Sequence, residues 1–230
     1  MKVLIIDDAP DVAEVVTLCF DMRWPNSTIL TAESGGDGIR LAKSDQPDLV
    51  ILDVMLPDMD GFQVCRSLRS FSDVPILMLS VRSDDKDIVK GLEWGADDYI
   101  TKPFSHLQFL ARVQALVRRT VDTTLERAER PYVSSELTMD FDTREVIVRG
   151  NPVKLTNIEF KLLAYLVRNA GRPLSKQSLL SVVWSPEHAD TPYLPKVHVQ
   201  HLRKKIERDP GNPQYILTER GMGYKFAPPR

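Results

Sequence analysis

Along the first half of the chain, short unbroken apolar runs alternate with segments whose apolar residues recur every three or four positions. The runs Val3–Asp7, Thr28–Ala32, Leu49–Asp53, Ile76–Ser80 and Asp98–Thr101 predict strands. The periodic segments near Asp11–Met22, Gly36–Ser44, Gly61–Ser70, Asp84–Trp94 and Ser105–Arg119 predict helices. Strands that are apolar throughout need cover on both faces. The alternation therefore predicts an α/β unit built on a parallel five-stranded sheet.

The pattern changes after residue 120. Residues 121–132 (VDTTLERAERPY) lose the apolar period and read as a linker, with Pro131 as punctuation. Leu137–Phe141 and Glu145–Arg149 alternate with period two and predict a small antiparallel sheet. Thr156-Asn157-Ile158-Glu159 is a capping-box pattern opening the apolar helix EFKLLAYLVRN, which Gly171 ends. Further helices are predicted over about Ser175–Val183 and Lys196–Arg208, separated by a Pro-rich loop over residues 185–195. The terminal QYILTERGMGYKF reads as a hairpin turning at Arg220-Gly221-Met222-Gly223. The domains expected are residues 1–120 and 133–230, the second an α+β unit.

Charge sharpens this division. The 230 residues carry a net −2. Residues 1–120 hold 13 basic and 19 acidic side chains, a net −6, and residues 121–230 hold 17 and 13, a net +4. An acidic half joined to a basic half implies different partners for each. No apolar run approaches the length of a membrane span, and no signal-peptide core precedes the first strand, so a cytoplasmic protein with no membrane partner is expected. Cys19 and Cys65 lie in apolar helical surroundings and read as buried, reduced thiols.

Candidate chemistry collects where the predicted strands end, which is where open α/β sheets bind ligands. Asp7 and Asp8 close the first strand, Asp53 the third and Ser80 the fourth, while Lys102 follows the fifth. Asp7, Asp8, Asp53 and the backbone carbonyl of Met55 offer the oxygens that a hard cation such as Mg²⁺ or Mn²⁺ prefers. Such an ion would remove the repulsion between a carboxylate and an anionic phosphoryl donor. Lys102 and the Ser80 hydroxyl could then engage the phosphoryl oxygens, which makes Asp53 the phosphoacceptor. Tyr99 by itself reads as a half-buried strand tyrosine. Asp58 and Asp60 read as residues shaping the turn before Gly61.

These residues, with GLEWGADDYITKPF and the terminal RGMGYKF, make residues 1–120 resemble a response-regulator receiver domain of flavodoxin-like fold. Residues 133–230 resemble the winged helix-turn-helix of the OmpR/PhoB subfamily. The resemblance implies a two-component transcriptional regulator, not an enzyme, whose Asp53 is phosphorylated by a sensor histidine kinase. It implies Ser80 and Tyr99 as a switch pair and a homodimer on double-stranded DNA when phosphorylated. It places Asp97, Asp98, Arg112 and Arg119 in charged pairs across a dimer face, where Ile88 and Gln108 replace another pair and suggest a more apolar contact at Ile88. Bulky Met55 and Arg82, flanking the route of attacking water, suggest slow loss of phosphate.

For the second half, bases concentrate on the last helix and the hairpin, as a phosphate-tracking surface requires. The resemblance places Leu194, Val197 and His201 towards bases, and His198, Arg203 and Lys204 towards phosphates. Lys196 and the hairpin-tip Arg220 add positive charge. Pro195 must fall in the first helical turn. The loop Trp184–Pro192 stands where relatives contact RNA polymerase. Three rivals remain at this point: a regulator that binds DNA without phosphorylation, a metal-dependent phosphatase of α/β type and a protein-interaction adaptor.

Overall fold

In the computed structural model, residues 1–81, 84–117, 130–184, 188 and 191–228 are described. The apolar runs of the first half pair as β1 (Lys2–Ile6), β2 (Thr28–Ala32), β3 (Leu49–Asp53), β4 (Ile76–Ser80) and β5 (Asp98–Thr101). They form one parallel sheet in the order β2-β1-β3-β4-β5. Every residue of β3 and β4 is buried, as expected for strands with helices on both faces, whereas the edge strand β2 exposes Thr28 and Thr31. The helices are α1 (Pro10–Arg23), α2 (Gly35–Asp45), α3 (Gly61–Arg69), α4 (Asp85–Glu93) and α5 (His106–Val117). Ser34 caps α2 by accepting the Asp37 N–H, and Asp60 caps α3 by accepting the Phe62 N–H.

The register sets the ends of the central strands side by side. Asp53 lies opposite Leu79, and Ser80 opposite Thr101. Asp7 follows β1 directly, its N–H donating to the Ala32 carbonyl at 3.0 Å, so the sheet ladder runs one residue past the last strand residue. Gly61 is required behind the end of β3. A Cβ there would lie 2.1 Å from the Asp53 carbonyl oxygen, so only glycine lets α3 start this close to the strand.

The chain divides into the units Met1–Val117 and Arg118–Arg230. Of the predicted linker, residues 121–129 lie outside the described residues, as do Arg82 and Arg119. The second unit opens with an antiparallel sheet of β6 (Tyr132–Val133), β7 (Leu137–Met139), β8 (Val146–Val148) and β9 (Asn151–Pro152). Only β7 and β8 are predicted by the sequence pattern. The outer strands have two residues each, too few to show a period. Then follow α6 (Asn157–Arg168), α7 (Lys176–Leu179), which continues as a π-helical turn over Leu180–Trp184, and α8 (Leu194–Ile206). The strands β10 (Ile216–Glu219) and β11 (Gly223–Phe226) close the chain as a hairpin.

The capping box of α6 is complete, with Thr156 and Glu159 exchanging hydrogen bonds. Ser175 caps α7, and Pro195 sits in the first turn of α8. The core of this unit comes from Leu162, Leu163 and Leu166 of α6, fully buried Trp184, and Val199, Leu202 and Ile206 of α8. Leu174 and Tyr224 exchange backbone hydrogen bonds at 2.7 and 2.9 Å. A Cβ at Gly223 would lie 2.0 Å from the Leu174 carbonyl oxygen, so the hairpin can close on that segment only with glycine there.

Candidate functional site

At the carboxyl edge of the parallel sheet, Lys102 reaches past β4 to the acidic residues. Its Nζ lies 2.7 Å from Asp7 Oδ2 and 2.7 Å from Asp53 Oδ1. Asp53 Oδ2 accepts the Met55 N–H at 2.6 Å, and Asp7 Oδ1 accepts the Ala9 N–H at 3.0 Å. Carboxylate oxygens of Asp7, Asp8 and Asp53 lie within 4.8 Å of one another, with Asp7 and Asp53 buried and Asp8 exposed. The Lys102 backbone N–H donates to the Ser80 carbonyl at 2.6 Å, which fixes the chain leaving β5 to the end of β4.

The electrostatics show an excess of negative charge. Burial pushes the Asp53 carboxyl above its ordinary range and Asp7 pushes the same way, while the bond to Lys102 only partly offsets them. Burial works against the Lys102 ammonium, yet its hydrogen bonds to Asp53 and Asp7 hold its pKa above the ordinary value. Three carboxylates facing one ammonium leave room for a dication. The donors are all oxygen, and the exposed Asp8 leaves an approach from solvent. The cluster is of the kind that holds Mg²⁺ in receiver domains.

Ser80 is fully buried and Tyr99 is 4 % exposed. The Tyr99 ring packs beside Gly91 of α4, where an added Cβ would meet its Cδ2 at 3.2 Å. Tyr99 is thus turned inward, beyond the half-burial expected of a strand tyrosine.

The residues expected at a dimer face are placed unequally. Asp98 pairs with Arg112 of the same chain at 2.8 Å, both side chains buried. Asp97 pairs with Arg69 at 2.6 Å and accepts the Ile76 N–H at 2.9 Å. Arg69, which the sequence did not single out, also donates to the Gly95 and Val74 carbonyls. Gln108 is exposed. Ile88 is not. At 8 % exposure it lies on the inward stripe of α4 one turn before fully buried Leu92, so in this chain its side chain packs inward.

In the second unit, Lys196, Lys204 and Arg220 are exposed and His201 is half-buried. Leu194, Val197 and His198, expected towards DNA, are 1 %, 2 % and 2 % exposed. Leu194, His198, Leu202 and Ile206 recur every four residues, which is the buried stripe of α8. Trp184 packs against His198 with ring centroids 5.2 Å apart. Arg203 is tied to the hairpin, donating through Nε and Nη2 to the Ile216 carbonyl at 2.9 and 2.5 Å and through Nη2 to Thr218 Oγ1 at 2.9 Å.

A groove of about 580 Å³ runs between α8, the hairpin and the start of α7, lined among others by Ser175, Lys176, Lys196, Gln200, Arg203 and Arg220. Lys176 and Gln200 are additions to the predicted surface. Gln200 was readable from the helical period, since it lies one turn from both Lys196 and Lys204.

Fold and site together define a class: a receiver sheet with an acidic carboxyl edge, joined to a winged helix-turn-helix that carries a basic groove. Residues 3–114 match the response regulator receiver domain, and residues 150–226 match the C-terminal domain of transcriptional regulatory proteins. The chain is 41 % identical over 228 residues to the DNA-binding response regulator MtrA of Mycolicibacterium smegmatis, covering 99 % of this chain and 97 % of that protein. It is 40 % identical over 225 residues to the transcriptional regulatory protein KdpE of Mycobacterium tuberculosis, covering 97 % and 98 %. Among solved structures, the OmpR/PhoB homologue DrrB of Thermotoga maritima matches at 32 % identity and a TM-score of 0.50, covering 98 % of each chain. A RitR mutant matches at 25 % identity and a TM-score of 0.76, also covering 98 % of each chain. The chain belongs to the OmpR/PhoB-type response regulators, the DNA-binding transcriptional regulators of two-component systems.

Proposed function

We propose that Asp53 accepts a phosphoryl group from a sensor histidine kinase and that this event brings two copies of the chain together on DNA. The observation that carries the reading is Lys102 Nζ, held 2.7 Å from Asp53 Oδ1 and 2.7 Å from Asp7 Oδ2 at the edge where three strands end. Asp7, Asp8, Asp53 and the Met55 carbonyl would hold Mg²⁺, or Mn²⁺ in its place. Bound there, the cation supplies the charge neutralisation that lets a carboxylate approach an anionic donor. Lys102 orients the Asp53 carboxylate and is within reach of the oxygens of an incoming phosphoryl group. The Ser80 hydroxyl, at the end of the neighbouring strand, is the second group placed to engage them.

Ser80 and Tyr99 then form the switch, one at the end of β4 and the other inside β5 against α4. A hydroxyl drawn towards phosphate and a ring packed inward bias one arrangement of the α4–β5–α5 face. That face is the proposed dimer contact, with Asp97, Asp98, Gln108, Arg112 and Arg119 contributing. Because Asp98 and Arg112 already pair within one chain, a symmetric dimer must share or exchange that pair. Lys196, Lys204 and Arg220 would track DNA phosphates, and His201 is the remaining candidate for base contact. The loop following Trp184 is the proposed contact with RNA polymerase, and the site of action is the cytoplasm.

Among the described residues, no helix is long and apolar enough to cross a membrane. The deciding experiment is sedimentation velocity with Mg²⁺, with and without beryllofluoride, on the wild type and Asp53→Ala. A shift from monomer to dimer in the wild type alone is expected. A dimer throughout, or no shift, would overturn phosphorylation as the trigger.

A further inference from the structure

The loop between β3 and α3, residues 54–60, carries the Met55 carbonyl. Met55 is 53 % exposed, so burial of its own side chain is not what fixes that carbonyl. At its base the loop is tied by the Met55 N–H to Asp53 Oδ2 at 2.6 Å and by the Gly61 N–H to the Val54 carbonyl at 2.9 Å. At its apex the tie comes from another element. Asp58 Oδ1 accepts the Gly35 N–H at 2.8 Å, and Asp58 Oδ2 accepts the Gly36 N–H at 2.9 Å. One carboxylate thus spans the first two N–H groups of α2, where unsatisfied donors and the helix dipole favour an anion.

Both donors are glycines, and the packing requires small residues there. A Cβ at Gly35 would lie 2.6 Å from Met59 Cγ and 2.6 Å from Val64 Cγ2. A Cβ at Gly36 would lie 3.3 Å from Asp58 Oδ2. The bonds from Gly36 and Gly35 hold the Asp58 carboxyl below its ordinary range, so the clasp stays ionised at neutral pH. The helix does not depend on Asp58 for its start, because Ser34 already caps it through the Asp37 N–H at 3.2 Å. What the clasp adds is a fixed position for the loop.

We infer that Asp58 is a positioning residue for the cation site: by gripping the N-terminus of α2 it fixes the 54–60 loop and, with it, the Met55 carbonyl. The inference rests on the reading of Asp7, Asp8, Asp53 and Met55 as cation ligands. Residues that orient a metal's ligands typically cost about 10-fold or more in metal affinity when removed. Loss of the clasp therefore weakens Mg²⁺ binding, while the groups that contact the phosphoryl donor stay in place.

The test is Mg²⁺ titration of the full chain by calorimetry, repeated with Mn²⁺ by electron paramagnetic resonance. The proteins are the wild type, Asp58→Ala, Asp58→Asn and Ser34→Ala. Asp58→Ala should raise the Mg²⁺ Kd about 10-fold. Asp58→Asn should fall between, since its amide oxygen still accepts one of the two bonds. Ser34→Ala should lower the thermal midpoint and leave the Kd unchanged. Phosphorylation of Asp58→Ala by acetyl phosphate should return to the wild-type rate at saturating Mg²⁺. An unchanged Kd in Asp58→Ala overturns the inference, and so does an equal rise in Ser34→Ala, which would indicate general loosening. A wild type that binds no Mg²⁺ overturns the cation reading itself, and the wild-type titration alone makes that distinction.

Discussion

Replacing Arg112 by Met isolates the question of what the Asp98–Arg112 pair does in a single chain. Arg112 Nη1 and Asp98 Oδ1 are 2.8 Å apart, with side-chain exposures of 4 % and 1 %. The substitution keeps most of the side-chain volume and removes the charge. Asp98 Oδ1 still accepts the Tyr99 N–H at 2.8 Å. Removing one partner of a buried pair costs about 3–5 kcal/mol, and the contacts Asp98 keeps, the Tyr99 N–H among them, favour the lower end. In a unit of this size that loss lowers the midpoint by on the order of 10–20 °C.

The pair is also imperfect. Among the described residues, Arg112 Nε is buried with no hydrogen-bond acceptor. The double variant Asp98→Asn/Arg112→Met, which removes both charges and keeps an acceptor for Tyr99, should therefore recover more than half of the loss. Hydrogen exchange across a urea series, read on peptides from β4 and β5, reports the receiver separately from the second unit. It is run on unphosphorylated, Mg²⁺-free chain at a concentration where sedimentation shows monomer. A loss below about 1 kcal/mol, the range of exposed pairs, would refute the reasoning. It would mean that these side chains are held for a partner and do not brace the sheet of their own chain.

Gly61→Ala forces a Cβ to within 2.1 Å of the Asp53 carbonyl, so β3 or α3 must shift; a loss of about 1–3 kcal/mol and a weakened beryllofluoride response are expected, and an unchanged midpoint would contradict the close approach. Lys196→Ala and Lys204→Ala, both on the exposed face of α8, should each reduce the salt slope of DNA binding by about one. Arg203→Ala should instead loosen the hairpin and lower the midpoint of the second unit, because its guanidinium is spent on Ile216 and Thr218; equal slope changes in all three variants would refute that division. Burial pushes the Cys65 thiol from an ordinary 9.0 up to about 12, so native chain at pH 9 should resist iodoacetamide at this position and react once unfolded. The sign for stability follows: the folded state keeps that proton more firmly than the unfolded chain, so this contribution is fully present below pH 9 and is lost as pH rises towards 12.

How much of this was legible in the sequence depends on the range of the interaction. The meeting of Asp7, Asp8, Asp53 and Lys102 at one edge was legible because each closes or follows an apolar run, and a parallel sheet brings such ends together. The Thr156–Glu159 box was found because its partners are three residues apart. The grip of Asp58 on Gly35 and Gly36 spans 23 and 22 residues, and that of Arg69 on Asp97 spans 28, so neither leaves a local period. Asp58 read correctly as a turn residue, yet its partner could not be named.

On α8, family position and helical period point different ways. Family position puts Leu194 and Val197 towards bases and His198 towards phosphates, while the chain's own period runs the other way: Leu202 and Ile206 are apolar, and stepping back four residues from them reaches His198 and then Leu194. That stripe is buried, and the opposite face presents Lys196, Gln200 and Lys204. A histidine between two leucines on a helical stripe belongs to the core unless some second feature draws it out, and here Trp184 covers it. The same rule places Ile88 inward on α4, one turn before Leu92. Family position proposes a role for a residue, but the helical period decides whether its side chain can reach a partner at all. The period leaves Lys196, Gln200 and Lys204 on the exposed face of α8, so the proposed DNA contact there would draw its affinity from phosphates more than from apolar contact with bases.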